Sequence, residues 1–272
     1  MHRTLEIVAV IGVAAVTLVA TARGEQKIAA MRAHDAELAG IRQRLFDEVR
    51  PINVTNCEFA RFGDAHDGGY LVCANLLAGD TAAYSYGIAG TDEWGCQISR
   101  TLKTPVHEYD CFDLRQPSCP EGTLVFHPEC VGPARSTQEG RPFDSLASQI
   151  ERNADAGKRL VMKMDVEGAE WDTFLATPDS VFEQTDQLIM EFHGVDEERY
   201  VRAVQKLKRF FVFAHLHYNN YGCKPGVEPF NGWAFEALLV NKRIAQTDGT
   251  PAPRGALPNL DAPNGPQIPD CQ

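Results

Sequence analysis

The chain has 272 residues, of which 44% are hydrophobic and 23% charged, and its formal net charge is −11. This length and composition are typical of one globular α/β domain with appendages. The negative balance and the lack of a basic run argue against a nucleic-acid partner, because no cluster of cations could neutralise phosphates. A small molecule or a neutral surface is the expected target.

An uncharged apolar segment, residues 7–22, follows a short tail of residues 1–6. Its length lies between a signal-peptide core and a full bilayer span, and Ala20-Thr21-Ala22 resembles a cleavage site. Residues 23–51 repeat apolar side chains at helical spacing and end at a proline, which predicts a stalk helix. This continuation favours an uncleaved membrane anchor over a cleaved signal peptide or a buried helix. Both leading interpretations place the domain in a secretory compartment, lumenal or extracellular.

The chain has eight cysteines, an even number that would allow pairing in an oxidising compartment. No two of them form a Cys-x-x-Cys pair, so a zinc ribbon has no support. Scattered buried thiols remain the alternative. The eight are Cys57, Cys73, Cys96, Cys111, Cys119, Cys130, Cys223 and Cys271.

The first sheet signals follow the stalk. Asp67-Gly68-Gly69 precedes a short strand and predicts a tight hairpin turn, which we favour over a ligand contact. Residues 82–88 predict a strand that runs into a turn bracketed by Gly87 and Gly90 and then into a helix. Bare backbone beside the positive end of a helix lets a ligand approach closely.

A second strand is predicted at residues 105–112 and closes with Asp113. In nucleotide-binding folds, an acid about 20 residues beyond the glycine turn holds the ribose hydroxyls. A third strand at residues 123–126 is followed by an irregular stretch and by a helix at residues 147–153. Asp144 lies just before that helix, and a helix cap is favoured over contact with a bound base.

A buried parallel strand is predicted at residues 160–162, followed by Asp165-Val166-Glu167-Gly168 and a helix at residues 169–177. Asp165 falls at the carboxyl end of the strand, where open α/β sheets bind their ligands. The alternative is that these acids only cap the helix.

The rest of the chain continues this alternation. A strand at residues 187–192 contains Glu191 and ends at His193, and an amphipathic helix follows it. Two further strands, at residues 210–215 and 235–240, predict an antiparallel edge. Residues 246–272 hold six prolines and no apolar period, which predicts a largely disordered tail.

This order of elements resembles a class I S-adenosylmethionine-dependent methyltransferase. The resemblance is carried by Tyr84–Gly90, Cys111-Phe112-Asp113, Lys163–Trp171 and Leu188–His193. Asp-Val-Glu-Gly-Ala-Glu within the third block is similar to the signature of FkbM-type methyltransferases. Asp67-Gly68-Gly69-Tyr70, Phe192-His193 and His217-x-Asn219-Asn220 resemble a related group of membrane-anchored methyltransferase-like proteins.

The resemblance implies a Rossmann-like methyltransferase domain over residues 52–245, with an antiparallel sheet edge, preceded by the apolar helix and the stalk. It implies S-adenosylmethionine as cofactor. Its amino-acid end would lie at the Gly87–Gly90 turn, its ribose at Asp113, its adenine near Asp144 or that residue's neighbours, and its methyl group beside Asp165. The chain departs from the FkbM pattern by having Asp113 where glutamate is usual, and it lacks Gly-x-Gly-x-Gly.

The expected reaction is O-methylation of a small-molecule or sugar hydroxyl. Such an acceptor must lose a proton, and Asp165 with Glu191 or His193 could supply the base. A metal held by Asp165, His193, His215 and His217 is the alternative, but a merely polar strand face is favoured, so no metal is predicted.

Two other functions are considered. One is a non-catalytic, membrane-anchored binding module that keeps the methyltransferase fold. The other is a nicotinamide-dependent oxidoreductase, which is disfavoured because Gly-x-Gly-x-x-Gly is missing.

Overall fold

The structure, a computed structural model, describes the backbone of residues 3–271 and the side chains of residues 26–271. The described helices are α1 (Arg3–Glu48), α2 (Glu93–Leu102), α3 (Leu146–Arg152), α4 (Glu170–Ala176), α5 (Asp179–Gln184) and α6 (Glu198–Leu207). The described strands are β1 (Ile52–Val54), β2 (Phe59–Gly63), β3 (Gly69–Cys73), β4 (Ala82–Tyr86), β5 (Val106–Tyr109), β6 (Leu124–His127), β7 (Cys130–Val131), β8 (Ser136–Gln138), β9 (Arg141–Asp144), β10 (Leu160–Met164), β11 (Thr185–His193), β12 (Phe211–Tyr218), β13 (Ala234–Asn241) and β14 (Thr247–Pro251).

Seven strands form a central mixed sheet in the order β12-β13-β11-β10-β4-β5-β6. The neighbours from β11 to β6 pair in parallel, whereas β13 runs antiparallel to both β11 and β12. The predicted mixed α/β architecture, with a mostly parallel sheet and an antiparallel edge, is confirmed. The predicted hairpin is also present, as β2 paired with β3.

The central strands are buried at every position because helices and a hairpin cover both faces of the sheet. Met162 of β10 packs in a core with α1, α3, α4, α5 and α6. The next residue toward the N terminus, Val161, points to the opposite face and packs with α2 and the β2–β3 hairpin. The apolar run at residues 160–162 therefore contributes side chains to two hydrophobic cores, one on each face of the sheet.

The order of the strands reverses between β4 and β10. From β4 the chain proceeds outward to β5 and β6, and it then crosses back to β10 on the other side of β4. Parallel sheets have a crevice at such a point, beyond the carboxyl ends of the two diverging strands. Gly87 follows β4 and Asp165 follows β10, and the Asp165 N–H donates to Tyr86 O at 3.1 Å.

The C-terminal part of α1 belongs to the domain core. Ile41 and Leu45 are buried, and α1 packs on α6. Lys208 Nζ lies 2.6 Å from Glu48 Oε2, which adds an ion pair at this contact. The C-terminal part of the apolar stripe predicted for a stalk is thus used within the domain, whereas Ile28 and Met31 are exposed. The predicted anchor at residues 7–22 lies outside the residues whose side chains are described. Within the described part of the chain, no helix has the length and apolar character that a bilayer crossing requires.

The C-terminal tail is not the disordered segment that its prolines predicted. β14 pairs antiparallel with β1, and buried Asn264 donates to Glu236 Oε1 at 2.8 Å. A disulfide joins Cys271 to Cys223. These attachments come from distant parts of the chain, so a local search for apolar periodicity does not find them.

The eight cysteines form four disulfides, and this rules out the alternative of scattered thiols. Cys111 at the end of the predicted second strand is bonded to Cys130. This bridge lies beside the small β7-β9-β8 sheet that replaces the irregular stretch predicted there. The pairs are Cys57–Cys73, Cys96–Cys119, Cys111–Cys130 and Cys223–Cys271.

We expect the paired change Cys223→Ser and Cys271→Ser to lower the free energy of unfolding by about 3 kcal/mol. The bridge spans a sequence separation of 48 residues, so its loss frees much chain entropy in the unfolded state. The tail should also become cleavable by trypsin at Arg254. The control is Cys96→Ser with Cys119→Ser, which should destabilise the protein but leave the tail protected. Equal cleavage of the tail in both variants would contradict this assignment.

Candidate functional site

A cavity of about 440 Å³ lies at the carboxyl edge of the sheet, beyond β4, β5 and β10. This volume is in the range of pockets that hold cofactors and other small molecules. Its wall is mainly apolar and includes Phe112, Val131, Phe143 and Val166. Gly87, Asp113 and Asp165 also line it, so three of the predicted site residues share one cavity.

Gly87 makes the close approach between β4 and the end of β10. Its φ is +72°, and a Cβ atom built there would lie 1.6 Å from the Asp165 carbonyl oxygen. Only glycine can occupy this position without a shift of backbone. Gly90, with φ of +79°, is not part of the cavity wall. A Cβ at Gly90 would lie 2.9 Å from Asp113 Oδ2, so the glycine leaves room for that carboxylate.

Asp110, which was not predicted as a site residue, follows β5 directly and lines the cavity. Its Oδ2 accepts hydrogen bonds from the N–H groups of Ile88 at 3.1 Å and Ala89 at 2.9 Å. Its Oδ1 accepts from the N–H groups of Phe112 and Asp113. The four lone-pair sites of the carboxylate are therefore used to hold two loops in place. The sequence signal that could have identified Asp110 is its position as the acid immediately after the last apolar residue of β5.

Asp113 lies in the cavity wall but is held differently. Its carboxylate accepts from Arg115 Nε at 3.0 Å and from the Arg115 backbone N–H at 3.0 Å. These bonds from Arg115 lower the pKa of Asp113 to about 2. The carboxylate is thus ionised and partly exposed, and its oxygens can also accept from a ligand hydroxyl.

Asp144 is not part of the cavity wall, and the favoured interpretation of Asp144 as the helix cap is wrong, because Ser145 caps α3. Its buried carboxylate accepts from Arg135 Nη2 at 2.7 Å, Ser148 Oγ at 2.9 Å and the Ser145 N–H at 2.9 Å. Arg152 Nη1 also donates to it, at 3.2 Å. These partners, near the start of α3, occupy the carboxylate. The neighbouring Phe143 lines the cavity instead.

Asp165 lies between the large cavity and a smaller one of about 150 Å³, which we call the polar recess. Its Oδ2 accepts from the Tyr70 hydroxyl at 2.9 Å and lies 3.9 Å from Lys163 Nζ. Burial, and then the charge of Asp165, raises the pKa of Tyr70 well above its usual value, so this hydroxyl keeps its proton. The recess is lined by charged side chains, among them Asp64, Asp67, Asp92, Glu93 and Lys163.

His193 lies at the end of β11, next to Asp165. Its Nδ1 is 3.3 Å from Glu170 Oε1, and its Nε2 is 3.8 Å from Asp165 Oδ1 and 3.6 Å from Glu191 Oε1. Burial lowers the pKa of His193, but the hydrogen bond and charge of Glu170, with the other carboxylates, outweigh this and raise it to about 9. These surroundings keep a proton on the ring and do not support His193 as a general base.

Glu191 is buried on β11 and accepts from Asn219 Nδ2 at 2.6 Å. Burial, and then the charges of Asp165 and Glu236, raise the pKa of Glu191 well above its ordinary value. A carboxyl group that holds its proton is a poor base at neutral pH. Of the three residues predicted to supply a base, Asp165 has the most suitable surroundings.

The histidines of β12 do not join this cluster. His215 Nε2 lies 2.9 Å from Asp261 Oδ2, and His217 lies between Glu236 and Asp270. The four-residue metal set considered from the sequence is therefore not assembled. The structure instead brings Asp165, Glu167 and His193 together.

The chain matches no protein-family model and no curated protein.

Proposed function

We propose that the protein is an S-adenosylmethionine-dependent methyltransferase that methylates a hydroxyl oxygen of a small molecule or glycan. The observation that carries the proposal is the shared cavity at the reversal of strand order. A glycine turn, an ionised acid and a strand-end aspartate meet there. Ligands of open α/β sheets bind at this position.

The chemistry of the walls suits the parts of this cofactor. Phe143 and Val131 provide an apolar surface for adenine, and Asp113 provides an acceptor for ribose hydroxyls. The polar recess has carboxylates and Lys163 for the zwitterionic amino-acid end. When bound, the cofactor supplies an electrophilic methyl group on a sulfonium.

Asp165 has the position to orient an acceptor. Its Oδ2 is held by Tyr70, while its Oδ1 faces His193 at 3.8 Å, beyond hydrogen-bonding distance. An acceptor hydroxyl bonded to Oδ1 would be held by a carboxylate that can take its proton. Positioning of this kind supplies much of the rate acceleration of a displacement at carbon.

The four disulfides also bear on where the protein works. Such bridges persist in oxidising compartments and are rare in reducing ones. They support a lumenal or extracellular domain. A membrane anchor at residues 7–22 remains part of the proposal.

The decisive test is calorimetric titration of the full chain with S-adenosylmethionine. We expect binding tighter than about 100 µM, which corresponds to about −5.5 kcal/mol. Phe143→Ala should weaken binding about tenfold, because stacking on a base contributes about 1–3 kcal/mol.

The control is Leu114→Ala, which removes an exposed side chain that is not part of the cavity wall and should leave binding unchanged. No heat of binding to the unaltered chain would refute the proposal. Binding without methyl transfer to any hydroxyl acceptor would instead favour the non-catalytic module.

A further inference from the structure

Beside the cavity, carboxylate oxygens of Asp165 and Glu167 lie close to the ring nitrogen Nε2 of His193, and all three atoms could bind a metal ion. Asp165 Oδ1 lies 3.8 Å and Glu167 Oε2 lies 3.5 Å from His193 Nε2, and donor atoms of all three lie within 4.8 Å of one another. Ligands about 2.1 Å from a shared cation lie about 3–4.2 Å apart. From this convergence we propose that Asp165, Glu167 and His193 bind a divalent metal ion.

The orientation of His193 is an independent observation. The side chain is only 8% exposed, and its Nε2 faces oxygens of Glu167 at 3.5 Å, Glu191 at 3.6 Å and Asp165 at 3.8 Å. The other ring nitrogen, Nδ1, lies 3.3 Å from Glu170 Oε1. Metal-binding histidines have this arrangement, in which a carboxylate on one nitrogen orients the other toward the ion.

Glu170 is itself held rigidly. It is fully buried, and its carboxylate accepts from the N–H groups of His193 at 2.7 Å and Gly168 at 2.8 Å. Glu170 therefore links the loop that carries Glu167 to the strand end that carries His193. In this arrangement Glu170 is a positioning residue and does not contact the ion.

The two carboxylates leave the site open on one side. Asp165 Oδ2 is occupied by Tyr70, so Oδ1 is the oxygen available to a metal. The Glu167 side chain is 82% exposed, so water or a ligand hydroxyl can reach the same point. Two carboxylate oxygens, one imidazole and open positions suit Mn²⁺ or a similar divalent ion.

The local charge is also suitable for a cation. The Asp165 and Glu167 carboxylates lie 3.8 Å and 3.5 Å from His193 Nε2. Lys163 Nζ lies 3.9 Å from the other oxygen, Asp165 Oδ2, and donates to the Gly87 carbonyl at 2.6 Å. A divalent ion would compete with a proton for the ring nitrogen and would neutralise the same carboxylates.

An ion here would lie beside Asp165 at the edge of the cavity. With the ion on Asp165 Oδ1, the acceptor hydroxyl would bind the ion instead of that oxygen, its proton would pass to water beside the exposed Glu167, and the resulting alkoxide would attack the methyl group. This consequence rests on the proposed methyl transfer, whereas binding of the ion does not.

The test uses the full chain, stripped with a chelator and dialysed, and titrated with MnCl₂ while electron paramagnetic resonance measures free Mn²⁺. We expect one bound Mn²⁺ per chain. Glu167→Gln and Asp165→Asn should each weaken binding at least tenfold. Because Glu167 is exposed, its variant should fold normally, and thermal melting checks this for both.

The matched control is Glu139→Gln. Glu139 has a φ of +50° and an 87% exposed side chain, close to the values of +53° and 82% at Glu167, but it lies outside the cluster. It should leave Mn²⁺ affinity unchanged. Failure of the unaltered chain to bind Mn²⁺, or equal binding by all variants, would overturn the site. Mn²⁺ binding without S-adenosylmethionine binding would support the site and refute the proposed function, and the reverse would overturn the site alone.

Discussion

Gly87→Ala is expected to lower the free energy of unfolding by more than ~4 kcal/mol. The added Cβ would lie 1.6 Å from the Asp165 carbonyl oxygen, and φ of +72° is unfavourable for alanine. Relief requires β4 and β10 to separate where the Asp165 N–H bonds to Tyr86 O. Chemical denaturation followed by circular dichroism measures the change, and S-adenosylmethionine binding should be lost as well.

The control for this prediction is Gly157→Ala. Gly157 has a φ of +80°, but a Cβ there would meet no heavy atom within 4 Å. Gly157→Ala should therefore lower the free energy of unfolding by about 1 kcal/mol, which is the penalty for alanine in a left-handed conformation. If Gly87→Ala were no more destabilising than Gly157→Ala, the two strand ends would not approach as closely as the structure has them.

The second large effect is expected at Asp110, where Asp110→Ala should destabilise the protein by about 4 kcal/mol. The change leaves four backbone N–H groups without their acceptor, among them those of Ile88 and Ala89. Each bond to a charged acceptor contributes about 1.5–3 kcal/mol, and water entering from the cavity offsets part of the loss. Thermal melting and denaturant unfolding measure the effect.

Asp113→Ala is the matched comparison, since both acids line the same cavity. Asp113 accepts from Arg115, two residues further along the chain, so replacing Asp113 should leave the melting temperature unchanged. If Asp113 holds ribose hydroxyls, the change should weaken S-adenosylmethionine binding about tenfold. Unchanged binding by Asp113→Ala would remove that residue from the proposed donor site.

The Asp110→Ala and Asp113→Ala variants separate the structural role of one acid from the binding role of its neighbour. The Asp110 carboxylate accepts hydrogen bonds from the backbone of the glycine turn and of the loop after β5, so it fixes the shape of the cavity. Asp113 keeps its carboxylate ionised at the cavity surface through Arg115. A single loop thus provides both support for the turn and an acceptor for a ligand.

Much of the sheet could be predicted from local pattern. The apolar runs at residues 82–88, 160–162 and 187–192 mark strands buried on both faces, and each lies within or overlaps a strand of the central sheet. A strand buried on both faces is recognisable because every side chain in it is removed from water, which gives a continuous apolar run in the sequence. The glycine turn after β4 and the acid after β10 were equally visible as breaks at the ends of those runs.

The roles of the carboxylates were harder to predict. Asp144 is a candidate for cofactor binding by its position in the sequence, but Arg135 and Arg152 both donate to its Oδ2. The predicted base at His193 is surrounded by carboxylates from α4, β11 and the loop after β10. What a titratable group does depends on such neighbours, and they come from other elements.

The sequence by itself determined the strands of the central sheet, their order along the chain and the positions of the glycine turn and of Asp165, because burial and tight turns restrict residue type locally. Only the tertiary structure decided that Asp110 supports the turn, that Glu167 meets His193, and that the tail is tied down through Cys271. Hydrogen bonds, ligand clusters and disulfides depend on distances between residues far apart in the chain, and these distances follow from the packing of the whole sheet.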